Sequence, residues 1–535
     1  MKTTCVRPKS SAPTVDVLPP VFGVRWNWRA VAVSVVMAVN VATMPLVSYL
    51  SEPLPWAHDT NATALVSRCA VNVSMCTSDA LRFFQAHASV VSNRNRYYHS
   101  QDLDMLQTSL RLPLENETSA SWVDSLPYSF YFSLDQVRWA TLVAHGELNA
   151  TGNVAVSRCL GLPVLLSVLW LSRKDGDYSD KANIYFGYQI APHAQVAAYV
   201  KCVGRVCFAV YILYYMWRHY YRHYQHLLQS LHQYGLYKAR PGTVFEIIVG
   251  DPTSVILLHP IVPLFFAIDV ASSPNYLASA SVRVVQVANA QAFCLGCLYL
   301  SRTVLFAYGV ILLASAGAKA LKREHWFTTD VDPTLVAVVV VLIAGPLTLL
   351  LAQIPPLMTC FHYLFASTTD DAQATEMVYA LLLYALIIGS VPVLLIVASK
   401  CRRASQKTHK VVAPAPSKRT RRTALREGWD LKQRLSMHFV YQGLPTGAVL
   451  QPVGGSVYEL FARHQCCRKH LGMSLRGEDC YVLYEEAPGR VIEVRLSLLS
   501  SLDTRFLAQL QRANTGGIGS VATFPTPFCI PSFRR

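Results

Sequence analysis

Apolar residues occur in long blocks along this chain of 535 residues. A helix needs about 20 apolar residues to cross the hydrocarbon core of a bilayer. Five blocks approach or meet that length: Ala30–Leu50, Val203–Trp217 (short unless 194–202 extend it), Thr253–Ala271, Thr334–Ala352 and Met377–Ser399. A sixth block, Val284–Ala318, has about 35 residues, too many for a single crossing. It is either one span that begins near Phe293 after an interfacial segment or a tight pair of spans.

The distribution of Lys and Arg orients these spans, because short cytoplasmic loops carry an excess of both residues. With one span in the sixth block, the basic segments are the N-terminal tail, the loop after Trp217, the loop with Lys319, Lys322 and Arg323, and the tail from Lys400. All of them then face the cytosol. The loop 353–376 has no Lys or Arg and contains Asp370 and Asp371. We therefore predict six spans, a signal anchor as the first, and both termini in the cytosol.

Composition supports membrane insertion. Charged residues are 15% of the chain, against about 25% in an average soluble domain, and the mean hydropathy is +0.28. The net charge of +16 is concentrated beside apolar blocks, where anionic inner-leaflet lipid favours basic residues. We therefore predict the lipid bilayer as a partner and no nucleic acid. The expected fold class is a polytopic α-helical membrane protein with an α+β non-cytoplasmic domain and a small α+β cytosolic C-terminal domain.

The predicted spans divide the chain into seven segments. They are a cytosolic tail (1–29), a signal-anchor helix (30–50), a glycosylated extracellular or lumenal domain (51–200), a bundle of about five spans (201–399), a polybasic linker (400–426), a cytosolic α+β domain (427–511) and a disordered tail (512–535).

The segment 51–200 has the features of a domain in an oxidising compartment. All four N-x-Ser/Thr sequons of the chain lie in it, at Asn61, Asn72, Asn116 and Asn149, which predicts N-glycosylation. Cys69 and Cys76 are close in sequence beside one sequon, so we predict a disulfide between them. A second disulfide, Cys159 with Cys202, is a weaker prediction, and free buried thiols are the alternative.

Hydrophobic patterns predict the secondary structure of this domain. The runs Ser129–Leu134, Asn183–Ile190 and Pro163–Leu171 indicate strands, and a helix is expected near Asp79–His87. The stretch Cys159–Leu171 is apolar but only thirteen residues long. That length favours a buried core segment over a membrane crossing.

Ionisable groups are costly at membrane depth, so each is a functional hypothesis. Asp269 in the third span and Arg302 in the fourth lie at matching depths, about 24 Å from the cytosolic ends of their helices at 1.5 Å per residue. We predict an ion pair between them, acting either as a static clamp or in gating. His259 precedes Pro260 in the third span; it is either a packed histidine or a proton carrier.

The cytosolic tail begins with ten Lys or Arg residues and no acid between Lys400 and Arg426. This segment predicts contact with anionic inner-leaflet lipids, and Cys401 is a palmitoylation candidate. Within 427–511, the pattern predicts a helix at 457–467, a hairpin of Cys480–Glu486 with Val491–Leu499, and a closing helix at 502–511. This domain is the expected site for a cytosolic protein partner.

No HExxH, GxSxG, P-loop or kinase motif occurs, so the sequence predicts neither an enzyme nor a cofactor nor a metal site. The leading hypothesis is a membrane scaffold or sensor that links the outside domain to the cytosolic module. The alternative is a cation channel or transporter that uses Asp370 and Asp371, for which a homo-oligomer is expected. In layout, though in no motif, the chain resembles the mucolipin and polycystin cation channels, and this resemblance implies a cation pore.

Overall fold

The structure is a computed structural model that describes residues 22–409 with short gaps, the longest being 112–122, 322–332 and 364–371, together with 449–453, 479–487 and 490–497. It contains two mixed β-sheets connected by a bundle of apolar helices. We call the sheet of residues 97–190 and 374–376 the outer sheet, and the sheet of residues 23–26, 244–248 and 449–497 the inner sheet.

The first apolar block is shorter than predicted. After strand β1 (Gly23–Trp26), helix α1 spans Trp28–Thr43, and a 3-10 turn covers Val47–Leu50. Pro45 explains the interruption, because proline cannot donate to the helical ladder and clashes with the preceding turn.

In its described residues, the outer segment contains three helices and five strands. They are α2 (Thr60–Val71), α3 (Val73–Asn93), β2 (Tyr97–His99), β3 (Leu103–Arg111), α4 (Leu134–Ala144), β4 (Gly152–Cys159), β5 (Leu162–Arg173) and β6 (Lys181–Ile190). The helix predicted near Asp79–His87 is confirmed within α3. The strands predicted at Pro163–Leu171 and Asn183–Ile190 are confirmed within β5 and β6. Within the segment Cys159–Leu171, residues Val164–Trp170 form a buried strand of the outer sheet, as the core interpretation expected, whereas Leu160 and Leu162 at the preceding turn are exposed.

The prediction of a strand at Ser129–Leu134 is wrong. A 3-10 turn covers Ser129–Tyr131, and α4 begins at Leu134. The Ser133 hydroxyl accepts from the Gln136 amide at 3.2 Å, and the Gln136 side chain accepts from the Ser133 amide at 3.2 Å. This reciprocal capping box starts a helix and overrides the local alternation of apolar and polar residues.

The predicted disulfide between Cys69 and Cys76 is confirmed. The weaker prediction of a bond between Cys159 and Cys202 is wrong, since both thiols are free. Cys159 pairs with Leu162 across the turn between β4 and β5, whereas Cys202 lies on a membrane helix beside Tyr49.

The strands of the outer sheet lie in the order β2-β3-β6-β5-β4-β8, where β8 (Ala374–Glu376) comes from the loop before the last helix. Neighbours are antiparallel except β4 and β8, which are parallel. Successive residues of a strand point to opposite faces. In β6, Tyr185 packs in the cluster with Phe84 of α3, whereas Phe186 and Tyr188 pack in the cluster of the helical bundle. The outer sheet is therefore covered by α2 and α3 on one face and by the bundle on the other.

The helical bundle follows β6. Its helices are α5 (Gln195–Met216), α6 (Arg222–Tyr234), α7 (Thr253–Leu257), α8 (Ile261–Ala271), α9 (Pro274–Val284), α10 (Ala290–Ser301), α11 (Val304–Ala320), α12 (Pro333–Leu342), α13 (Thr348–Leu351) and α14 (Val378–His409). One turn of π-helix extends α5 through Tyr221, and another joins α12 to α13.

Three helical segments in the described part of the chain are long and apolar enough to cross a membrane: Gln195–Tyr221, Ala290–Ala314 and Val378–Ala398. A fourth crossing results if α8 and α9, bent by 83°, form one span; α1 and the segment 335–350 are shorter apolar helices. These helices indicate a membrane protein.

Two of the predicted span boundaries change. The block Thr253–Ala271 is not one straight helix, because α7 ends at Leu257, α8 begins at Ile261 after Pro260, and α8 then bends into α9. The block Val284–Ala318 contains one candidate span that begins at Ala290, which supports the single-span interpretation.

The inner sheet joins segments that are far apart in sequence. Its order is β1-β7-β10-β11-β9, with β7 (Val244–Ile248), β9 (Val449–Val453), β10 (Asp479–Ala487) and β11 (Arg490–Ser497). The predicted hairpin is confirmed as β10 and β11. It continues through β7 to β1, so the N-terminal strand and the loop after α6 belong to the same sheet. The predicted helices at 457–467 and 502–511 lie outside the described residues.

Candidate functional site: a buried charge cluster in the bundle

Five ionisable side chains meet inside the helical bundle. Glu52 follows the 3-10 turn after α1, Lys201 and Arg205 lie one turn apart on α5, Asp269 lies near the end of α8, and Arg302 lies at the break between α10 and α11. We call these five residues the bundle cluster. Glu52, Arg205, Asp269 and Arg302 are all buried, and Lys201 is nearly so. The cluster therefore joins four separate parts of the fold.

Arg205 is the centre of the cluster. Its two terminal nitrogens donate to the two oxygens of Glu52 at 2.6 and 2.9 Å. Its Nε and Nη2 donate to the two oxygens of Asp269 at 2.8 and 3.2 Å. The guanidinium also lies over the ring of Tyr49, with 4.9 Å from Cζ to the ring centroid. One arginine thus bridges the carboxylates of two chain segments, in the forked geometry for which a guanidinium is suited.

Arg302 provides a second cation to the same carboxylates. Its Nη2 donates to Asp269 Oδ2, so the contact predicted between Asp269 and Arg302 is present, although within a larger cluster. Its Nη1 lies 3.6 Å from Glu52 Oε1. Among the described residues, neither Nε nor Nη1 of Arg302 has a hydrogen-bond acceptor.

Lys201 and Tyr299 complete the surroundings of Glu52. The Lys201 ammonium lies 3.6 Å from Glu52 Oε2 and donates to the Ser273 hydroxyl. The Tyr299 hydroxyl donates to Glu52 Oε1 at 2.6 Å. The cluster therefore holds three cationic and two anionic side chains, and every carboxylate oxygen accepts at least one hydrogen bond.

Sequence reasoning found only part of this cluster. Arg205 lies inside the second predicted span, where an ionisable residue is itself a signal, but it was not selected. Glu52 lies just beyond the first predicted span, so hydropathy gives no reason to place it in the bundle. Both could have been found by asking which acids and bases remain available to neutralise one another at the same depth.

The two carboxylates of the bundle cluster are held from several elements of the fold at once. Arg205 donates to both oxygens of Glu52 and to both oxygens of Asp269, and no group of three or more His, Cys, Asp or Glu within the described ranges is arranged to bind a metal. Ion pairs removed from water are held firmly, because separating them leaves an uncompensated buried charge. The bundle cluster therefore fixes α5, α8, α10 and the segment after α1 relative to one another.

A second buried ion pair attaches the bundle to the outer sheet. Arg283 of α9 donates through Nε to Asp104 of β3 at 3.2 Å. The hydroxyl groups of Tyr97 and Tyr188 also donate to Asp104, the former at 3.2 Å. We call these four residues the sheet contact. Burial and the Asp104 charge raise the pKa of both tyrosines well above 10, so both remain donors at physiological pH.

Further hydrogen bonds fix α9 on the outer sheet. The Asn275 amide donates to the Ala191 carbonyl at 2.7 Å, and the Tyr131 hydroxyl donates to the Ala278 carbonyl at 3.2 Å. Gly296 allows α10 to approach α9 closely, since a Cβ there would lie 2.8 Å from the Ala280 carbonyl oxygen. Helix α9, which follows the 83° bend after α8, is therefore the connecting element between the outer sheet and the bundle.

His259 lies two residues before the start of α8 and packs against Tyr215, with 4.4 Å between ring centroids. Its Nδ1 is buried and has no hydrogen-bond partner among the described residues. A proton carrier or catalyst at this position would need a second polar group within hydrogen-bond distance. The contacts of His259 are those of a packed aromatic side chain.

The remaining predicted site residues lie on the surface or outside the described residues. Asn72 is exposed and its side-chain oxygen accepts from the hydroxyl of Ser74, the third residue of the sequon, at 2.7 Å. Asn61 lies on α2, and Cys401 is exposed on α14. Asn116, Asn149, Asp370, Asp371 and the basic linker beyond His409 are outside the described residues.

Comparison with known proteins gives no family assignment: no family model matches the chain, and neither the curated proteins nor the solved structures contain a significant match.

Proposed function

We propose that this protein is a multi-pass membrane scaffold or sensor that connects an outside domain to a cytosolic module through a rigid helical bundle. The observation that carries the proposal is the way in which helices continue directly from strands. Helix α1 begins two residues after β1, α5 begins five residues after β6, and α14 begins two residues after β8. A displacement of either sheet is therefore transmitted to helices through connections of only one to four residues.

The junction between β1 and α1 illustrates this connection. Asn27 separates the two elements, and its side-chain oxygen accepts from the Ala30 amide at 3.0 Å, which caps α1. The same side chain donates to Glu246 of β7 at 2.6 Å, and Arg25 donates to Glu246 through Nε at 2.9 Å. A movement of α1 along its axis would therefore displace the neighbouring strand of the inner sheet.

Sheet membership also supports the orientation proposed from charge. Strands β1, β7 and β10 come from the N-terminal tail, the loop after α6 and the C-terminal segment, and strands that share a sheet lie on one side of a membrane. Strand β8 and the sequon-containing segment share the other sheet. On this basis we propose six spans, cytosolic termini and glycans on the opposite side.

The same orientation assigns partners to the cytosolic face. The basic segment from Lys400 to Arg426 would lie against anionic inner-leaflet lipids, with Cys401 at the membrane edge available for palmitoylation. The segment 427–511 would bind a cytosolic protein. In this scheme the bundle cluster and the sheet contact hold the helices in register between the two sheets.

Hydrogen exchange of the full-length protein in lipid nanodiscs tests the coupling. The variant Arg283→Gln removes the cation of the sheet contact, and Arg68→Gln is a matched control at the exposed ion pair of Arg68 with Asp79. We expect Arg283→Gln to accelerate exchange several-fold in peptides from β7 and β10 as well as in the outer sheet. Faster exchange confined to the outer sheet and α9 would contradict coupling.

Cation flux distinguishes this proposal from the channel alternative. We expect liposomes that contain the wild-type protein to show no cation flux above that of empty liposomes. A flux that is lost in the double variant Asp370→Asn/Asp371→Asn would replace the scaffold or sensor with a channel.

A further inference from the structure

The turn between β4 and β5 exposes apolar side chains to an unusual degree. Leu160 is 80% exposed and Leu162 is 70% exposed. They belong to the run Cys-Leu-Gly-Leu-Pro at 159–163, which has no charged residue. Exposed apolar side chains grouped at one tip indicate an interaction surface rather than ordinary surface variation.

The backbone conformation of this turn is unfavourable for a leucine at position 160. Leu160 has φ of 52° and Gly161 has φ of 77°, so both residues are in the left-handed region. Two-residue hairpin turns of this kind normally use Asn, Asp or Gly, because other side chains are strained there. An Asn-Gly turn would be less strained and more soluble, so turn formation alone does not explain a leucine at this position.

Glu376 holds this turn at the beginning of α14. Its Oε1 accepts from the Leu160 amide at 3.0 Å, and its Oε2 accepts from the Gly161 amide at 3.4 Å. The same carboxylate accepts from the amide of Val378, the first residue of α14, at 3.3 Å. In addition, the Met377 amide donates to the Arg158 carbonyl at 2.8 Å. One side chain therefore connects the hairpin tip to the first turn of α14.

This connection sets the height of the tip relative to the membrane. Residues 378–398 of α14 form a candidate span, and Tyr379, Leu382 and Leu386 on it are exposed, as expected of side chains that face lipid. Since the span begins where Glu376 binds the turn, the two leucines lie at the level of the membrane boundary. An apolar surface at that level, held beside the start of a helix that exposes apolar side chains, fits acyl chains.

We propose that the tip of the β4–β5 hairpin, through Leu160 and Leu162, inserts into the outer leaflet of the bilayer. The outer sheet then contacts lipid directly, and Glu376 connects that contact to α14. The inference requires α14 to span the membrane, and its assignment to the outer leaflet rests on the proposed orientation. It does not require coupling between the two sheets, so lipid contact at the tip can fail or hold independently of that coupling.

Site-specific photo-crosslinking tests this contact. Benzoylphenylalanine is placed at Leu160 or Leu162 of the full-length protein in phosphatidylcholine nanodiscs, and Gln85 is the control because it is exposed on α3, at the sheet face opposite the bundle. We expect lipid adducts by mass spectrometry at both leucine positions and at least fivefold fewer at Gln85. Equal yields at all three positions, or no lipid adduct at the leucines, would overturn the proposal. Adducts to protein in place of lipid would assign the tip to a protein partner and also overturn it.

The variant Leu160→Asn tests the same contact without disturbing the fold of the turn. Leu160→Asn suits the left-handed turn, so we expect it to fold with unchanged or higher thermal stability. With the crosslinker at Leu162, this variant should give several-fold fewer lipid adducts than the parent. An unchanged adduct yield would show that Leu160 does not anchor the tip and would contradict the inserted geometry.

Discussion

The bundle cluster and the sheet contact both bury arginine against carboxylate, but they are balanced in different ways. The bundle cluster has three cations for two carboxylates, and Arg205 alone contacts all four carboxylate oxygens. In the sheet contact, the described partners of the single carboxylate of Asp104 are the cation of Arg283 and the neutral hydroxyls of Tyr97 and Tyr188. In the bundle cluster, Arg205 binds both carboxylates, and Lys201 and Arg302 add further positive charge beside them. In the sheet contact, one carboxylate accepts hydrogen bonds from an arginine and from two tyrosines.

The largest effect is expected from Arg205→Gln. Arg205 is the shared partner of Glu52 and Asp269. Because this change removes it, the negative charges of two buried carboxylates are then only partly neutralised. Breaking a buried ion pair typically costs about 3–5 kcal/mol, and we expect a loss at the upper end of that range. Thermal unfolding of the detergent-purified protein measures this loss of stability. Glycoform maturation in cells reports in addition whether the variant folds and leaves the endoplasmic reticulum. A loss below about 1 kcal/mol would show that Arg205 is not central.

A graded result is expected for the other two cations of the bundle cluster. Arg302→Ala leaves both carboxylates bound to Arg205, so its cost should be about 2 kcal/mol, mostly from the lost volume and the lost Asp269 contact, with impaired glycoform maturation. Lys201→Met keeps the aliphatic stem and removes the least buried cation of the bundle cluster, so we expect a change within about 1 kcal/mol. Equal losses in both variants, or normal maturation of Arg302→Ala, would contradict this ranking.

A double-mutant cycle examines the sheet contact. Arg283→Gln and Asp104→Asn should each destabilise the protein by about 1–3 kcal/mol, because a buried group loses its charged partner. The double variant should cost less than the sum, with a coupling free energy of about 1–2 kcal/mol. Strict additivity would mean that the two side chains do not interact energetically.

The smallest effect at neutral pH concerns the two tyrosine donors. Their pKa values are raised in the folded protein by burial and by the charge of Asp104. A raised pKa contributes stability that is fully present below the unfolded value of about 10 and is lost as the pH rises above it. Stability should therefore fall above about pH 10, and Tyr188→Phe should reduce that slope. Tyrosinate absorbance during alkaline unfolding provides the measurement, and an identical slope in the variant would contradict the assignment.

Local patterns in the sequence predicted the parts of the fold that depend on neighbouring residues. The apolar runs predicted β5 and β6, and the turn at 487–489 predicted the hairpin of β10 with β11. The capping box of Ser133 and Gln136 was also readable and would have corrected the strand predicted at Ser129–Leu134. Local hydrogen bonding and periodicity carry such information in themselves.

Contacts between distant segments could not be predicted in this way. Strands β1 and β8 have four and three residues, too few for a recognisable alternation, and each pairs in parallel with a strand far away in sequence. Glu52 follows an apolar block and becomes buried only because Arg205 and Tyr299 lie opposite it. Partner choice of this kind depends on tertiary packing, about which hydropathy contains no information.

The most direct test asks whether the two sheets lie on opposite sides of the membrane. It is made in intact cells on one variant, Val244→Cys, in a background whose exposed native cysteines are replaced by serine. Val244 is exposed on β7 of the inner sheet, and Asn72 is exposed beside the Cys69–Cys76 disulfide of the outer domain. We expect a glycan at Asn72, shown by a mobility shift that Asn72→Gln removes, and labelling of Cys at position 244 by an impermeant maleimide only after permeabilisation. A glycan at Asn72 together with labelling of position 244 in intact cells would place both sheets on one side and contradict the proposed connection across the membrane.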